Sequence, residues 1–445
     1  MSVYRQRGTQ MERLDQASKS PPAAPPQHAW VALGMLCFVY VLNFLSRQLP
    51  AILAKPIQDS LHLSDGKLGL VSGLYFALFY CFISIPVGWM ADKTNRSRVL
   101  TAACAIWSAA TMCCGLASTY PQLVVAYMAV GFGEAGGVPP SYSIISDYFP
   151  PGRRGAALGL YNVGPALGAT LGIAFGASIA AAFSWRYAFL FLGGVGLLTA
   201  IGVPLLVREP RRGGLDSISD QAATPNKSFW QTLGMFFARP SLRLAAFAAG
   251  ANQFITYGLI NFVVLFLMRE KGMALKQIAV YYALVVFLGI GGSMFVSGRV
   301  IDRFTRTSKQ AYALVPATSL AFAIPFYLAF VWAPSWHLAL LFLVATLFLN
   351  YFYLSSVVTL IQQEVRPDQR VMSGALLLMV MNFIGLGLGP TYVGAVSDHF
   401  HATHPGHSLQ FALYALAPFY VLAILLFLWL ARVLRQKSTV GVKVL

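Results

Sequence analysis

Twelve apolar stretches constrain the fold of this chain more than any other feature. About 20 apolar residues in a helix cross the ~30 Å hydrocarbon core of a bilayer, and backbone exposed to lipid must satisfy its hydrogen bonds within the helix. The stretches cover about residues 29–53, 67–90, 98–117, 122–149, 155–182, 187–207, 241–268, 276–300, 310–333, 336–363, 371–396 and 408–434. We therefore predict an all-α polytopic membrane protein with twelve transmembrane helices.

Composition excludes several other classes of protein. Hydrophobic residues make up 57% of the chain and charged residues 11%, against ~25% charged residues in soluble domains. A cytosolic enzyme and a nucleic-acid-binding module do not fit these fractions. All five cysteines lie inside apolar stretches, so a secreted disulfide scaffold is excluded as well.

The net charge of +17 follows the predicted topology. Counted over the segments between the stretches, few of the 32 Lys and Arg lie on the side opposite the termini. These are Lys55, Lys67, Arg186, Arg269, Lys271 and Lys276. By the positive-inside rule, both termini are expected in the cytoplasm of a cell with a plasma or inner membrane. The basic excess then indicates contact with anionic lipid and no nucleic-acid partner.

The chain divides into two halves of six helices. We expect a disordered cytoplasmic tail at 1–28, a six-helix bundle at 29–207, a cytoplasmic loop at 208–240, a second bundle at 241–435 and a tail at 436–445. Within the loop, Phe229–Phe237 could form an interfacial helix.

Two loops repeat between the halves. Gly88, Asp92, Lys93 and Arg96 recur 210 residues later as Gly298, Asp302, Arg303 and Arg306. Pro151 to Arg154 recurs 216 residues later as Pro367 to Arg370. Duplication of six helices is a recurring plan of secondary transporters, with the substrate site between the halves.

The repeated G-x-x-x-D-[RK]-x-x-R loop resembles the signature of the major facilitator superfamily. Asn95 before Arg96, the run Gly131–Ala135 and the run Leu386–Pro390 are similar to the Spinster-like branch. The resemblance implies two six-helix bundles, alternating access that is often proton-coupled, and a small organic or lipid-like solute. It implies a monomeric transporter rather than an enzyme, without a cofactor.

Glu134 is the acidic residue near the middle of a predicted span. A charge at that depth costs at least ~2.5–3.5 kcal/mol on insertion scales and normally faces a cavity or a partner. We predict that Glu134 binds and releases the coupling proton. The alternative is a carboxylate that only holds helices together by hydrogen bonds.

Arg47 lies well inside a span, and Asn43 and Ser46 share its helix face. Its guanidinium could bind an anionic group of the substrate or pair with Glu134; the alternative is an Arg that extends to the outer headgroups. Spinster-like sequences often carry Asp at the position of Ser46 and Arg at that of Tyr127. Their replacement predicts that Glu134 acts without a second acid.

The repeat offsets extend this candidate site into the second half. Neutral hydrogen-bonding and aromatic side chains then stand where the first half carries charge, which favours a ligand with one charged end and one apolar end. Apart from Asn43, Ser46, Arg47 and Tyr127, the predicted substrate-binding residues are Tyr161, Asn162, Gln253, Tyr257, Asn261, Asn350, Tyr353 and Asn382. The alternative for each is a bond between helices.

The repeated loop predicts a gate. Asp92 and Asp302 are expected to meet helix N-termini or Arg side chains when the cytoplasmic side closes. Lys93, Arg96, Arg303 and Arg306 are then expected at the lipid headgroups, and Gly88 and Gly298 begin the two copies. The alternative is charge that only sets topology. Gly164, Pro165 and Gly168 should let the fifth helix bend and approach a neighbour closely.

The function predicted from the sequence is proton-linked transport of a small organic anion or amphipathic solute. Export of drugs or lipids is the alternative within this class, and a sensor that binds without translocating is the alternative outside it. Gly131–Gly136 fits GxGxxG but follows no strand, so nucleotide binding is not expected. His399, His401, His404 and His407 are interpreted as a solvated loop rather than a metal site.

Overall fold

A computed structural model describes residues 27–210, 229–306, 308–366 and 369–442. Within these ranges eleven helical spans are long and apolar enough to cross a membrane. They are α1 (His28–Ile52), α2 (Asp65–Ala91), α3 (Arg96–Leu116), α5 (Arg153–Ala182), α6 (Trp185–Leu206), α7 (Pro240–Arg269), α8 (Leu275–Thr305), α9 (Ala311–Trp332), α10 (Trp336–Glu364), α11 (Met372–His401) and α12 (Ser408–Gln436). With α4, the predicted all-helical, twelve-span architecture is confirmed.

The fourth span, α4, is interrupted. It consists of Tyr120–Glu134 and Val138–Tyr148, where the sequence predicted one segment. Pro139 and Pro140 begin the second part, where a missing N–H costs nothing. The equivalent span α10 is likewise formed by Trp336–Asn350 and Phe352–Glu364. Glu134 and Asn350 therefore end the first part of equivalent spans.

Each half of the chain forms a bundle. In the first, α1 packs on α5, and α3 packs on α4 and α6; in the second, α7 packs on α12, and α9 packs on α10 and α12. The fifth helix turns at Asn162 and Val163 between two helical parts. A Cβ atom at Gly168 would lie 2.5 Å from the carbonyl oxygen of Val41. The predicted bend and close approach of α5 are thus confirmed, with α1 as the neighbour.

The two bundles meet mainly through α2 and α11. A Cβ at Gly73 would lie 2.7 Å from the carbonyl oxygen of Gly387, and one at Gly394 would lie 2.5 Å from that of Asp65. Both contacts lie toward the α1–α2 loop, on the side of the membrane that we call the opposite side; the side with both termini is the terminal side. The seam reaches inward to Phe82 and Phe383, whose ring centroids are 6.1 Å apart.

The segment between the bundles contains a short helix, Phe229–Ala238. The helix predicted there is confirmed, and it packs on α11 and α7. The rest of the predicted loop at 211–228, the tail through residue 26 and residues 443–445 lie outside the described residues.

Candidate transport site

Glu134 and Arg47 form an ion pair inside the first bundle. The Nη2 and Nε atoms of Arg47 donate to one carboxylate oxygen of Glu134, at 2.7 Å and 3.0 Å. Ser46 donates to the other oxygen at 3.1 Å. The Glu134 side chain has no exposed surface and that of Arg47 is 7% exposed. Arg47 thus reaches into the bundle and not toward the headgroups.

Close helix packing places Glu134 at this depth. A Cβ at Gly133 would lie 2.5 Å from the backbone nitrogen of Trp107, and one at Gly131 would lie 2.8 Å from the carbonyl oxygen of Phe76. These two glycines let α4 pack against α3 and α2. The run that fits GxGxxG therefore serves packing, and it positions the carboxylate between α1 and the rest of the bundle.

Aromatic rings surround the Arg47 guanidinium. The ring centroids of Tyr80, Phe44 and Phe76 lie 4.6, 4.8 and 5.2 Å from its Cζ atom. Ring faces attract a cation, more strongly when the cation is desolvated. Sequence reasoning missed all three residues; the i, i+3 spacing of Phe44 and Arg47 was the available signal. Tyr127 also belongs here, since its hydroxyl donates to the Arg47 carbonyl oxygen at 3.4 Å.

Two large and opposing free-energy contributions determine the stability of this pair: the cost of removing both charges from water and the attraction between them. Removing one partner of a buried ion pair is strongly destabilising, about 3–5 kcal/mol, because the remaining charge is left without compensation. A proton on Glu134 or an anion at Arg47 supplies compensation from outside. The arrangement can therefore exchange the internal pair for a bound proton and a bound anion.

Asn43 completes the polar stripe of α1. It is buried, and neither its amide nitrogen nor its amide oxygen has a hydrogen-bond partner among the described residues. Its repeat equivalent in α7, Gln253, likewise has an unpaired Oε1. Buried polar groups are normally satisfied, so the Asn43 amide and the Gln253 oxygen are available to a ligand or water.

The second-half residues fall into several smaller groups. Gln253 donates to Asn382 at 3.1 Å, which joins α7 to α11. Asn350 is buried and donates to the hydroxyl of Tyr420 at 2.9 Å, a bond between α10 and α12. Asn261 donates to the carbonyl oxygen of its own helix neighbour Tyr257 at 2.9 Å, and Tyr353 is buried. Substrate contact by these residues stays a prediction.

A tyrosine cluster lies at the bend of α5. Tyr161 stacks on Tyr40 with ring centroids 4.4 Å apart, and Tyr142 packs edge-on against Tyr161. The Tyr142 hydroxyl donates to Asn162 at 2.5 Å, and Asn162 is exposed. Tyr40 precedes Asn43 by about one turn of α1, and Tyr161 is buried. The polar stripe of α1 is thus followed by an aromatic stack on the terminal side.

One expectation for the repeated loop is wrong. Arg96 does not lie at the headgroups: it is buried and binds Asp147 at 2.6 Å and Glu209 at 2.7 Å. Its Nη1 atom also donates to Ser143 at 2.6 Å. Its partners come from α4 and from the segment after α6. A charge count along the sequence cannot show that these acids pair with Arg96. Arg96 therefore ties α3, α4 and the end of α6 together.

Other members of the repeated loop are exposed. Lys93 lies over the Trp89 ring at 4.1 Å, and Asp302, Arg303 and Arg306 are exposed at the end of α8. Gly88 and Gly298 are half-buried. Asp92 directly follows Ala91 in the last turn of the same helix, but its side chain lies outside the described part of the structure. The predicted gate contacts of Asp92 and Asp302 thus stay predictions.

A second charged cluster joins the bundles on the opposite side, and sequence reasoning missed it. Asp65 of α2 accepts two hydrogen bonds from Arg269 of α7, at 2.7 Å and 3.0 Å. Ser397 and Gln58 donate to the same carboxylate, both at 2.5 Å, and Arg269 donates to Ser408 at 3.0 Å. These five residues form the opposite-side cluster. The only sequence signal was the scarcity of charge on that side.

Glu270 extends the contacts of the opposite-side cluster in the loop after α7. Its carboxylate accepts from the backbone nitrogen of Leu409 at 2.8 Å, which ties α7 to the start of α12. Burial raises the pKa of Glu270, and the amide hydrogens and Arg269 act in the other direction. The carboxyl is thus held by the first turn of α12, outside the spans.

Replacing Asp65 by Asn is expected to loosen the opposite side. Asn keeps the size of Asp65 but loses the charge that binds Arg269, and a hydrogen bond to a charged group contributes about 1.5–3 kcal/mol. Spin labels at exposed Lys67 and His401, in a cysteine-free background, should report longer distances. Asp59→Asn is the matched control, because Asp59 is exposed and forms an ion pair with Lys55 of its own helix. Equal distances in both variants would mean that Asp65 does not hold the bundles together.

Comparisons with known proteins identify the family. The family model of the Major Facilitator Superfamily matches residues 36–390. An MFS-type efflux pump of Mycolicibacterium smegmatis is 30% identical, with 84% of this chain and 85% of the relative covered. A probable sulfoacetate transporter of Cupriavidus necator is 28% identical, with 63% of this chain and 67% of the relative covered.

A solved structure gives the same result for the fold. It is that of a bacterial homologue of the human lysosomal transporter Spinster, in an inward-facing and unoccupied conformation. The TM-score is 0.84 at 29% identity, and the match covers 93% of this chain and 99% of that one. The twelve-span fold, the matched family model and this similarity lead to one conclusion: the chain belongs to the major facilitator superfamily and resembles its Spinster-like branch.

Proposed function

We propose that the protein moves a small organic anion or amphipathic solute across the membrane together with a proton, by alternating access. The observation that carries the proposal is the Arg47–Glu134 pair, which places a cation and a carboxylate in contact in the middle of the first bundle. Protonated Glu134 releases the guanidinium, and the guanidinium then binds the anionic group of the solute.

Proton and anion are linked at this pair. An anion at Arg47 withdraws the cation that favours the ionised form of Glu134, so anion binding promotes protonation. Linkage is reciprocal, so protonation promotes anion binding to the same degree. The affinity for an anion should therefore rise as the pH falls. Ser46 donates a hydrogen bond to Glu134 beside the two charges, and the unpaired amide of Asn43 is available to the solute.

The chemistry of the remaining surface favours a solute with an apolar end. Rings of Phe44, Phe76 and Tyr80 lie around Arg47, and the Tyr40–Tyr161 stack continues toward the terminal side. Gln253 and Asn382 add neutral amides from the second bundle. A small carboxylate or sulfonate fits the charged end, and the relative named as a probable sulfoacetate transporter supports that class.

The contacts between the bundles on the opposite side are consistent with the step of the transport cycle in which that side is closed. The opposite-side cluster joins the bundles, and the similar solved structure is inward-facing. We assign the terminal side to the cytoplasm, because the basic residues concentrate there, in a plasma or inner membrane. In this assignment Arg47 and Glu134 are reached from the cytoplasm, and the substrate, protons and surrounding lipids are the partners of a monomeric carrier.

Proton uptake on binding tests the proposal. Purified protein is first screened by thermal shift against carboxylates, sulfonates and lysolipids, with sulfoacetate as the first probe. In weakly buffered solution, binding of a stabilising anion should take up about one proton when Glu134 is ionised beforehand. Glu134→Gln should bind the anion without proton uptake. Binding by the wild type without any proton uptake would contradict the joint movement of proton and anion that we propose.

Export is the second candidate, because a relative covering most of the chain is named an efflux pump. The same pair then serves an antiport cycle, in which the proton and the solute occupy the site in turn. The two candidates differ in one result. Protons should raise the affinity for the solute in symport and lower it in antiport. A protein that binds without translocating would show neither gradient-driven uptake nor extrusion in proteoliposomes.

The repeated loop is proposed as the gate that closes on the terminal side. Replacing Asp302 or Asp92 by Asn is expected to slow transport by weakening the closed state, while the affinity for the solute changes only a few-fold. Initial rates in proteoliposomes, measured beside binding in detergent, separate the two quantities. Unchanged transport rates in both variants would mean that these residues only set the membrane topology.

A further inference from the structure

A groove on the outer surface of the second bundle has no part in the proposed transport site. It has a volume of about 580 Å³ and is formed by α8, α9 and α10, within the ~300–1,000 Å³ of pockets that hold small ligands. Helix α9 packs on α8, α10 and α12, all within the second half. The groove therefore faces away from the seam between the bundles.

The walls of the groove are apolar and open to the surroundings. Phe304 of α8 and Leu314 and Phe322 of α9 line it, and their side chains are 54%, 38% and 67% exposed. In a membrane-spanning region such surface faces lipid chains. Ser319 also lines the groove, but its hydroxyl already donates to the carbonyl oxygen of Leu349 at 2.7 Å. The inner wall thus offers little to a polar ligand.

The length of the groove matches one leaflet of a bilayer. It runs along α9 from Ala311 to Phe322, a rise of about 16 Å at 1.5 Å per residue. Half of the ~30 Å hydrocarbon core is about 15 Å. Ser308 and Ala311 lie at its terminal-side end, where α8 and α9 are joined. An acyl chain of a lipid in the terminal-side leaflet would fill this length.

Basic residues surround the headgroup end. Arg303 and Arg306 near the end of α8, and Lys309 in the turn before α9, are exposed. Arg303 precedes Phe304, and Lys309 follows Ser308, so both flank residues that line the groove. Asp302 is the acid in this segment: it lies on the helix face opposite Phe304 and one turn before Arg306, whose charge it partly offsets. The local charge remains positive and suits a phosphate.

The internal repeat shows why this charge is available. Arg306 is the repeat equivalent of Arg96, which Asp147 and Glu209 bind inside the first bundle. The position equivalent to Asp147 is Gln363, and the exposed Arg306 has no carboxylate partner among the described residues. One copy of this arginine holds the protein together, and the other is presented to the membrane surface.

We propose that this groove binds an anionic phospholipid of the terminal-side leaflet, with an acyl chain along α9 and the phosphate at Arg303, Arg306 and Lys309. Basic pockets between helices on the cytoplasmic side bind anionic headgroups in other membrane proteins. The site is separate from Arg47 and Glu134 and does not depend on the proposed transport function.

Retention of lipid in detergent tests the proposal. Purified protein is equilibrated with mixed micelles of phosphatidylglycerol and phosphatidylcholine, and bound lipid is identified by native mass spectrometry. We expect preferential retention of phosphatidylglycerol. Removing a basic residue should weaken retention by about fivefold per charge, so Arg303→Ala/Lys309→Ala should lose about 25-fold. Arg98→Ala is the matched control, because Arg98 is exposed at the start of α3 and should retain the wild-type preference.

A second variant tests the apolar part of the groove and controls for a general loss of structure. Val315→Trp fills the groove while keeping every charge, and it should reduce retention of both lipids. Size-exclusion profiles and melting temperatures of all variants show whether they fold. Equal retention of the two lipids by the wild type would overturn the proposal, as would unchanged retention in the double variant. Glycerol phosphate competing as well as phosphatidylglycerol would show a phosphate site without a place for the chain, which also contradicts it.

Discussion

Glu134→Gln is expected to abolish accumulation driven by a pH gradient while exchange of solute between compartments persists. Gln resembles a permanently protonated Glu, so Arg47 stays available to the anion in every step of the cycle. Proteoliposomes with an imposed pH gradient measure accumulation, and preloaded vesicles measure exchange. Undiminished accumulation in Glu134→Gln would mean that the carboxylate is structural and that another group couples transport.

The control for this variant is Asp59→Asn, which removes an exposed carboxylate from the short helix Ala54–Leu61. Accumulation by Asp59→Asn should equal that of the wild type. The two variants differ in what the carboxylate contacts: Glu134 binds the buried guanidinium of Arg47, and Asp59 binds the exposed ammonium of Lys55. A loss shared by both would point to a nonspecific effect of charge removal.

Arg47→Ala is expected to lower the affinity for an anionic solute by at least about 30-fold, whether or not a gradient is present. Truncating one partner of a buried, hydrogen-bonded charge pair costs about 2–5 kcal/mol. Arg47→Lys should restore part of the affinity, because an ammonium cannot reproduce the planar fork of the guanidinium. Binding curves in detergent give these values directly, and Arg98→Ala is the control.

The double variant Arg47→Ala/Glu134→Gln separates two explanations of that loss. If Arg47 binds the anion, affinity stays low after both charges are removed. If Arg47 only neutralises Glu134, removal of both charges restores affinity, since no uncompensated charge is left in the bundle. The second outcome would contradict a direct role of Arg47 in binding.

The sequence predicted the parts of this protein that depend on local pattern. The lengths of the apolar stretches gave twelve spans, and the repeat offset gave Asn350 as the equivalent of Glu134, at the same break in α10 as in α4. The pair of charges in the middle of the first bundle was visible because buried charge is rare. Such features follow from a few neighbouring residues.

The sequence could not predict which distant residues meet. Asp65 and Arg269 are 204 positions apart and belong to different bundles, and nothing in either segment identifies its partner. Arg96 was expected at the headgroups, because a charge count cannot show that Asp147 and Glu209 fold against it. The rings of Phe76 and Tyr80 looked like ordinary core residues of α2. Long-range packing decides each of these cases.

A single carboxylate in the middle of the spans sets the energetics of the proposed carrier. One proton carried with one monoanion moves no net charge, so the membrane potential would neither drive nor oppose transport. A difference of one pH unit corresponds to about 1.4 kcal/mol, so accumulation could reach about tenfold per pH unit and no more. A potassium diffusion potential imposed with valinomycin should leave that ratio unchanged. Carriers of the same fold with a second coupling proton would reach the square of this ratio, whereas Ser46, in contact with Glu134, offers no second acid here.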